Sequence, residues 1–327
     1  MAIRIGLIGA GSVGRAHLEC LASNPEARVV GICDNNRARA EAAAKQAGDK
    51  QAGPAPSVHI NYRSLLESER LDALIVCVPP FARSEPESAA ARAGIHLLLE
   101  PPVALSAEKA RQIQKEVEKA GVIASVAYPW RCLSGADRAR ELLKDRRVAL
   151  VRGLRLGGVP REGWRRKRES CGGQMLLEAG HVLDMARWLG GDVAGVFALQ
   201  SQGLVAARAP DCDIEDVSIV SLRFRSGATG EIVAADVAPR EESLLAVFAG
   251  DLELRLTPES LEVVEAGRRT LTQHSESGLA ACQRAFLEAV KSGEPASVRS
   301  SFGDAARTLE VALAANESAQ TGKMVSL

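Results

Sequence analysis

Charge of either sign is not in excess in this chain, because Lys plus Arg and Asp plus Glu each total 41. With no net field to draw in nucleic acid or an anionic membrane surface, the expected partners are small molecules. Paired cysteines are also missing. Cys20, Cys33, Cys77, Cys132, Cys171, Cys212 and Cys282 contain no C-x-x-C spacing, and several fall in apparent strands or helices. They read as buried, reduced thiols of a cytoplasmic protein. No apolar run approaches the length needed to cross a bilayer. The one at the N-terminus is short and lacks a signal-like cleavage region, since a glycine-rich run begins at once. His17, His59, His96, His181 and His274 show no ligand spacing with acids or cysteines, so no metal site is expected. A serine hydrolase is unsupported without a G-x-S-x-G elbow, and there are no repeats. With 327 residues and 46% hydrophobic content, the chain is long enough for two domains with sizeable cores.

What is present starts at Ile3. The run Ile3-Arg4-Ile5-Gly6-Leu7-Ile8 suits a buried parallel strand and residues 13–22 suit a helix, with Gly9, Gly11 and Gly14 around the turn between them. Gly9 permits a tight turn, Gly11 lets backbone approach a pyrophosphate, and Gly14 lets helix pack closely on strand. The phosphates then lie over the helix N-terminus at Ser12 and Val13. A second strand over 28–33 ends in Asp34, followed by Asn35 and Arg37. An acid about twenty residues past the glycines accepts hydrogen bonds from the adenosine ribose. It repels a 2′-phosphate and so favours NAD over NADP, although Arg37 and Arg39 lie close enough to temper that repulsion. The other reading of Asp34 is a cap for the helix expected over 36–47.

Strand-like and helix-like segments alternate as far as residue 127, with strands over 73–78, 95–99 and 122–127 and helices over 83–93 and 107–120. This predicts an α/β fold, a doubly wound parallel sheet covered on both faces. A loop is expected over 48–57, where two prolines and two glycines fall. Past Tyr128 a helix over 136–144 precedes strands over 149–156, 193–202, 217–224, 230–235, 244–249 and 252–256, then helices over 279–291 and 303–321. Turn-like joints such as Arg225-Ser226-Gly227 predict an α+β domain on a large open, mainly antiparallel sheet. The expected division is a cofactor domain over 1–124 and a domain for substrate and oligomerisation over 125–327, with packing of the closing helix back on the first domain left open. An open sheet leaves one face uncovered, so a homodimer or homotetramer packed sheet to sheet is expected.

This order of segments, with several motifs, resembles the Gfo/Idh/MocA family, named for glucose-fructose oxidoreductase, inositol dehydrogenase and rhizopine catabolism proteins. Its anchors are the glycine turn, Val76-Cys77-Val78-Pro79-Pro80 where the family carries a strand ending in T-P-N, and Leu98-Leu99-Glu100-Pro101-Pro102 where it carries E-K-P. Gly172-Gly173-Gln174 leading to Glu178, His181 and Asp184, and the tail from Leu309 to Val325, complete the likeness. The resemblance implies hydride transfer between NAD(H) and a sugar, cyclitol or other cyclic small molecule. It implies cofactor contacts at Val78 and Pro79, and Glu100 beside the nicotinamide ribose. In the family the E-K-P lysine and a second-domain histidine move the proton and polarise the oxygen. The lysine position here is Pro101, which carries neither proton nor charge.

The histidine is His181, on a helix expected over 175–189 whose Val182, Met185, Ala186 and Leu189 form an inward stripe. An imidazole titrates near neutral pH, which makes His181 the acid/base candidate. Glu178 lies three residues before it, whereas the family's acid lies four before, where Leu177 stands. Both spacings share a helix face, so Glu178 either joins the site or interacts with the helix dipole. Asp184 either orients the imidazole, meets substrate or solvates the helix. The run Trp164-Arg165-Arg166-Lys167-Arg168 resembles a W-x-x-K segment of one family branch, which makes Lys167 a replacement cation and Trp164 a substrate contact. Its other reading is a solvated basic loop. Arg131 resembles a family arginine that contacts substrate, and Arg83 stands where many members carry histidine or simply begins a helix. Pro101 and the displaced Glu178 keep two other readings open. One is an NAD-binding sensor or scaffold without turnover, and the other is NAD-assisted elimination or hydrolysis without net redox change.

Overall fold

The computed structural model describes residues 2–83 and 85–327. Isoleucine and leucine supply four of the six residues of β1 (Ile3–Ile8), and Ile5 and Leu7 have no exposed surface, as a strand covered on both faces requires. The chain continues through α1 (Ser12–Ala22), β2 (Ala27–Cys33), α2 (Arg37–Lys50), β3 (Ser57–His59), α3 (Tyr62–Ser68) and β4 (Ala73–Val76). It then forms α4 (Glu85–Arg92), β5 (His96–Leu99), α5 (Ala107–Ala120) and β6 (Ala124–Val126). Among the described residues these six strands make one parallel sheet in the order β3-β2-β1-β4-β5-β6. The strand order reverses beside β1, and in such sheets ligands bind outside the carboxyl ends of the strands at that point.

The second set of elements comprises α6 (Ser134–Leu143), β7 (Leu150–Leu156), α7 (Arg168–Cys171), α8 (Gln174–Leu177), α9 (Gly180–Gly190), β8 (Val193–Ser201), β9 (Val217–Phe224) and β10 (Thr229–Ala235). After them come β11 (Glu242–Ala249), β12 (Leu252–Leu256), β13 (Ser260–Glu265), β14 (Arg268–Gln273), α10 (Gly278–Ser292), α11 (Phe302–Thr321) and β15 (Val325–Ser326). The described strands form a sheet in the order β14-β13-β12-β11-β7-β10-β9-β8-β15, in which β7 and β10 run parallel and the other pairs antiparallel. The buried residues of α9, with Val182, Met185 and Ala186 among them, pack on β7, β10 and β11. Burial alternates along β9, and Ile219 and Leu199 stay exposed on the uncovered side.

Two expectations need correction. The helix expected over 175–189 is two pieces, because Ala179 at φ −88°, ψ −3° leaves the helical line between α8 and α9. Glu178 therefore does not share a continuous helical face with His181. The loop expected over 48–57 is shorter, since α2 runs to Lys50 and Ser57 opens β3. The chain divides into two compact units that are not sequential. One gathers the segments up to Ala104, Glu108–Tyr128 and Leu279–Asp304, and the other Leu105–Ala107, Pro129–Gly278 and Ala305–Leu327. Residues 279–304 fall in the first of these units, where Gln283 of α10 reaches His17 of α1, its amide 2.7 Å from Nδ1 and 3.1 Å from the backbone oxygen. No helix among the described residues is long and apolar enough to cross a membrane.

Candidate active site

The glycine turn is shaped by contacts that only glycine satisfies. Gly9 has φ +94°, and a Cβ there would lie 2.6 Å from the Cys77 carbonyl oxygen. A Cβ on Gly14 would land on the Gly9 carbonyl oxygen, so α1 can close on β1 only without a side chain. Gly11 is the opposite case, with open space around its Cβ position. It precedes α1 without a side-chain cap, and Ser12 and Val13 are exposed on the first turn. First-turn N–H groups facing open space suit a pyrophosphate, so the residues present fit a dinucleotide.

Asp34 ties this turn to β2. Its Oδ2 accepts from the Ala10 N–H at 2.9 Å and its Oδ1 from the Asn36 N–H at 2.8 Å, while Arg39 Nη2 lies 3.0 Å from Oδ1. The cap of α2 is Asn36, whose side chain accepts from the Arg39 N–H at 3.1 Å, so Asp34 does not fill that role. Asn35 is exposed and accepts from Arg39 Nη2 at 3.2 Å, and exposed Arg37 faces Glu41 at 3.7 Å. Val78 and Pro79 are half-buried just beyond β4. Glu100, at the end of β5, lies 2.7 Å from Nε2 of the wholly buried His17. Burial works against the charged ring, yet Cys77 and Glu100 outweigh it and hold the His17 imidazole up at about 10. Glu100 is thus anchored to α1 through His17. Arg83 is buried just ahead of α4, its Nε donating to the Val78 oxygen at 3.2 Å.

In the other unit, His181 is the second residue of α9 and half-buried. Arg131 and Asp184, both expected to meet substrate, instead close on each other. Arg131 Nε and Nη2 donate to the two Asp184 oxygens at 2.6 Å each, and Thr308 Oγ1 donates to Oδ1 at 2.8 Å. Both residues are buried. Burial pushes the Asp184 carboxyl up, and Arg131 and Thr308 oppose that shift. A bidentate pair in the core fixes α9 through Asp184 and leaves neither group presented to a ligand.

Glu178 has a different neighbourhood. Arg165 Nη2 donates to both its oxygens at 2.6 and 2.8 Å, Arg165 Nε adds a bond at 3.1 Å, and Arg155 Nη2 lies 3.5 Å away. These groups border a cleft of about 420 Å³ that also includes Gly158, Pro160, Arg161 and Arg240. Lys167 stays outside it, 3.8 Å from Asp213, and Trp164 packs against the Cys171, Val205, Cys212 and Ile214 cluster. The cation beside the acid is therefore Arg165, two residues before the lysine the sequence suggested. Beneath lies Asp236, which sequence reasoning passed over at the end of β10. The available signal was an acid directly after the apolar run Ile232-Val233-Ala234-Ala235.

Burial pushes the Asp236 carboxyl up to about 7, against the 2.9 Å hydrogen bond from Gln174 Nε2 and with the help of Glu178. Arg155 and Arg165 pull it the other way. Because the folded protein holds this proton more tightly, the stability it contributes is complete below the ordinary carboxylate value of about 4. That stability is lost as pH rises through about 7. Asp236→Asn keeps the shape without the charge, so the Tm of the variant relative to the parent should be higher at pH 8 than at pH 5. An offset identical at both pH values would refute the shift.

Two family models match the chain. The model described as oxidoreductase family, NAD-binding Rossmann fold, matches residues 3–128, and the GFO/IDH/MocA C-terminal domain matches residues 139–257. The chain belongs to the Gfo/Idh/MocA family of oxidoreductases. Among curated relatives of this Gfo/Idh/MocA protein, the D-glucoside 3-dehydrogenase of Escherichia coli is 28% identical over 194 residues, 57% of this chain and 54% of the relative. The myo-inositol 2-dehydrogenase of Thermotoga maritima is 28% identical over 339 residues, 99% of this chain and 98% of the relative. Among solved structures, an oxidoreductase from Agrobacterium radiobacter in complex with NAD+, L-tartaric acid and magnesium superposes with a TM-score of 0.87 at 19% identity. That likeness covers 100% of this chain and 98% of the other, and at such identity it speaks for the fold.

Proposed function

We propose that the protein transfers hydride between NAD(H) and a hydroxyl or carbonyl carbon of a sugar, cyclitol or related cyclic small molecule. The observation that carries the reading is the glycine turn pinned to Asp34, which couples an open helix N-terminus to a carboxylate at the ribose position. Asp34 keeps acceptor capacity for ribose hydroxyls, and its charge favours NAD over NADP. Bound nicotinamide would take or return the hydride. His181 accepts the hydroxyl proton during oxidation and returns it during reduction. Arg131 and Asp184 act as positioning residues by fixing α9, which carries His181. Pro101 stands where the family's E-K-P lysine lies, so oxygen polarisation passes to other donors, with Arg165 the nearest cation to Glu178. The curated relatives named for a glucoside and for myo-inositol support a polyhydroxylated substrate.

Pro101 also sustains the second reading, a cofactor-binding protein without net turnover. Incubation with NAD and NADH in turn against a panel of sugars, inositols and keto-sugars, with absorbance and product mass followed together, separates these two readings and a third, NAD-assisted chemistry without net redox change. Absorbance change with product supports hydride transfer. Product without absorbance change points to NAD-assisted elimination or hydrolysis, and cofactor binding with no product on any substrate points to a sensor or scaffold.

A further inference from the structure

The cleft beside Glu178 is richer in guanidinium groups than its carboxylates need. Arg155, Arg161, Arg165 and Arg240 line it together with Glu162, Glu178 and Glu241, and because Arg240 pairs with Glu242 at 2.9 Å, Arg161 is the cation in excess. The three acids are not equivalent. Glu178 has a side chain only 4% exposed and is held by the Arg165 fork, so it belongs to the floor. Glu162 and Glu241 are 46% and 81% exposed, and they reach Arg165 and Arg155 only at 3.5 and 3.3 Å. Exposed pairs of that length contribute little, so an incoming anion displaces them at small cost.

The guanidinium groups are better placed than their exposed partners. Arg155 is 14% exposed, and its head folds over Gly157, where a Cβ would lie 2.5 Å from Nη1. Glycine at that position makes room for the head, whose Nη1 donates to the Leu156 oxygen. A largely desolvated guanidinium binds oxyanions more strongly than a solvated one. Arg161 borders the same cleft, is exposed, and has no side-chain partner among the described residues. A wall of N–H donors with two weakly held acids suits a ligand that only accepts hydrogen bonds.

We propose that this cleft receives an anionic group, a carboxylate or a phosphate, carried by the substrate, with Arg155 and Arg161 as its principal partners. A neutral polyol can accept single hydrogen bonds from these donors but leaves their charge uncompensated, whereas a sugar acid or sugar phosphate balances the charge and displaces Glu241 from Arg155. The inference rests on the proposed function in one respect, that the molecule bound here is the substrate.

Calorimetry on the full chain saturated with NADH tests it, using D-glucuronate, D-glucose 6-phosphate and neutral D-glucose as probes at low and high salt. At least one anion should bind about tenfold more tightly than D-glucose, with the advantage shrinking as salt rises. D-glucuronate in the lead indicates a carboxylate, and D-glucose 6-phosphate in the lead a phosphate. Arg161→Gln should weaken the preferred anion by about tenfold, as expected for one lost charge-assisted hydrogen bond. Its exposed position leaves the fold intact, while Arg155→Gln supplies a second, more buried probe. The proposal is overturned if neither anion binds more tightly than D-glucose, or if neither variant weakens the anion. NADH binding followed by fluorescence in the same samples keeps the two readings apart. Loss of NADH binding counts against the oxidoreductase reading, whereas retained NADH with no anion preference counts against the anion site alone.

Discussion

His181→Ala is expected to lower turnover by roughly 10²- to 10⁴-fold, the usual contribution of a positioned acid or base. The half-buried imidazole on the first turn of α9 is the group proposed to exchange the hydroxyl proton. The residues assigned to the cofactor, from Gly9 to Asp34, lie in the other compact unit, so the NAD dissociation constant should stay within a factor of about two of the parent, an energy difference below 0.6 kcal/mol, or about RT. Turnover and NAD affinity measured on the same preparation test this directly. Undiminished turnover would remove His181 from the mechanism. Partial recovery with added imidazole would place the missing function in the ring rather than in the packing of α9.

Asp184→Ala should be the most destabilising of the substitutions considered, because it leaves the Arg131 charge in the core without its carboxylate. Breaking a buried pair from one side costs about 3–5 kcal/mol, whereas replacing both partners by apolar residues of similar size is often close to neutral. The Arg131→Met, Asp184→Leu double variant should therefore recover much of the loss. Urea unfolding of the single and double variants measures the difference. A loss of about 1 kcal/mol or less for Asp184→Ala would mean that water reaches Arg131 and that the pair is not the fastening of α9.

Those two residues also mark where sequence pattern stopped. Sequence alone singled out Arg131 and Asp184 separately, but that they face one another across 53 residues is a fact of packing. Glu178 fell at a helix-compatible spacing from His181, yet the backbone leaves the helix at Ala179 and turns the acid toward Arg165 and Arg155. The β13 and β14 hairpin escaped notice because β14 is exposed along its whole length and so shows no alternation of apolar residues. Its turn at Ala266 and Gly267, both with positive φ, lacks the Asn-Gly signal of a tight hairpin.

What could be read from the chain was local. The glycines of the turn, the apolar strand before it, the acid at the end of β2 and the change from alternating elements to consecutive strands depend on near neighbours, and the α/β and α+β units follow from them. Partnership among charges is long-range. Which guanidinium meets Glu178, why Asp236 holds its proton near neutral pH, and how α10 joins the first unit depend on segments that folding brings together. Burial sets the energy of a charge, and burial is a property of the packed chain rather than of any window of sequence.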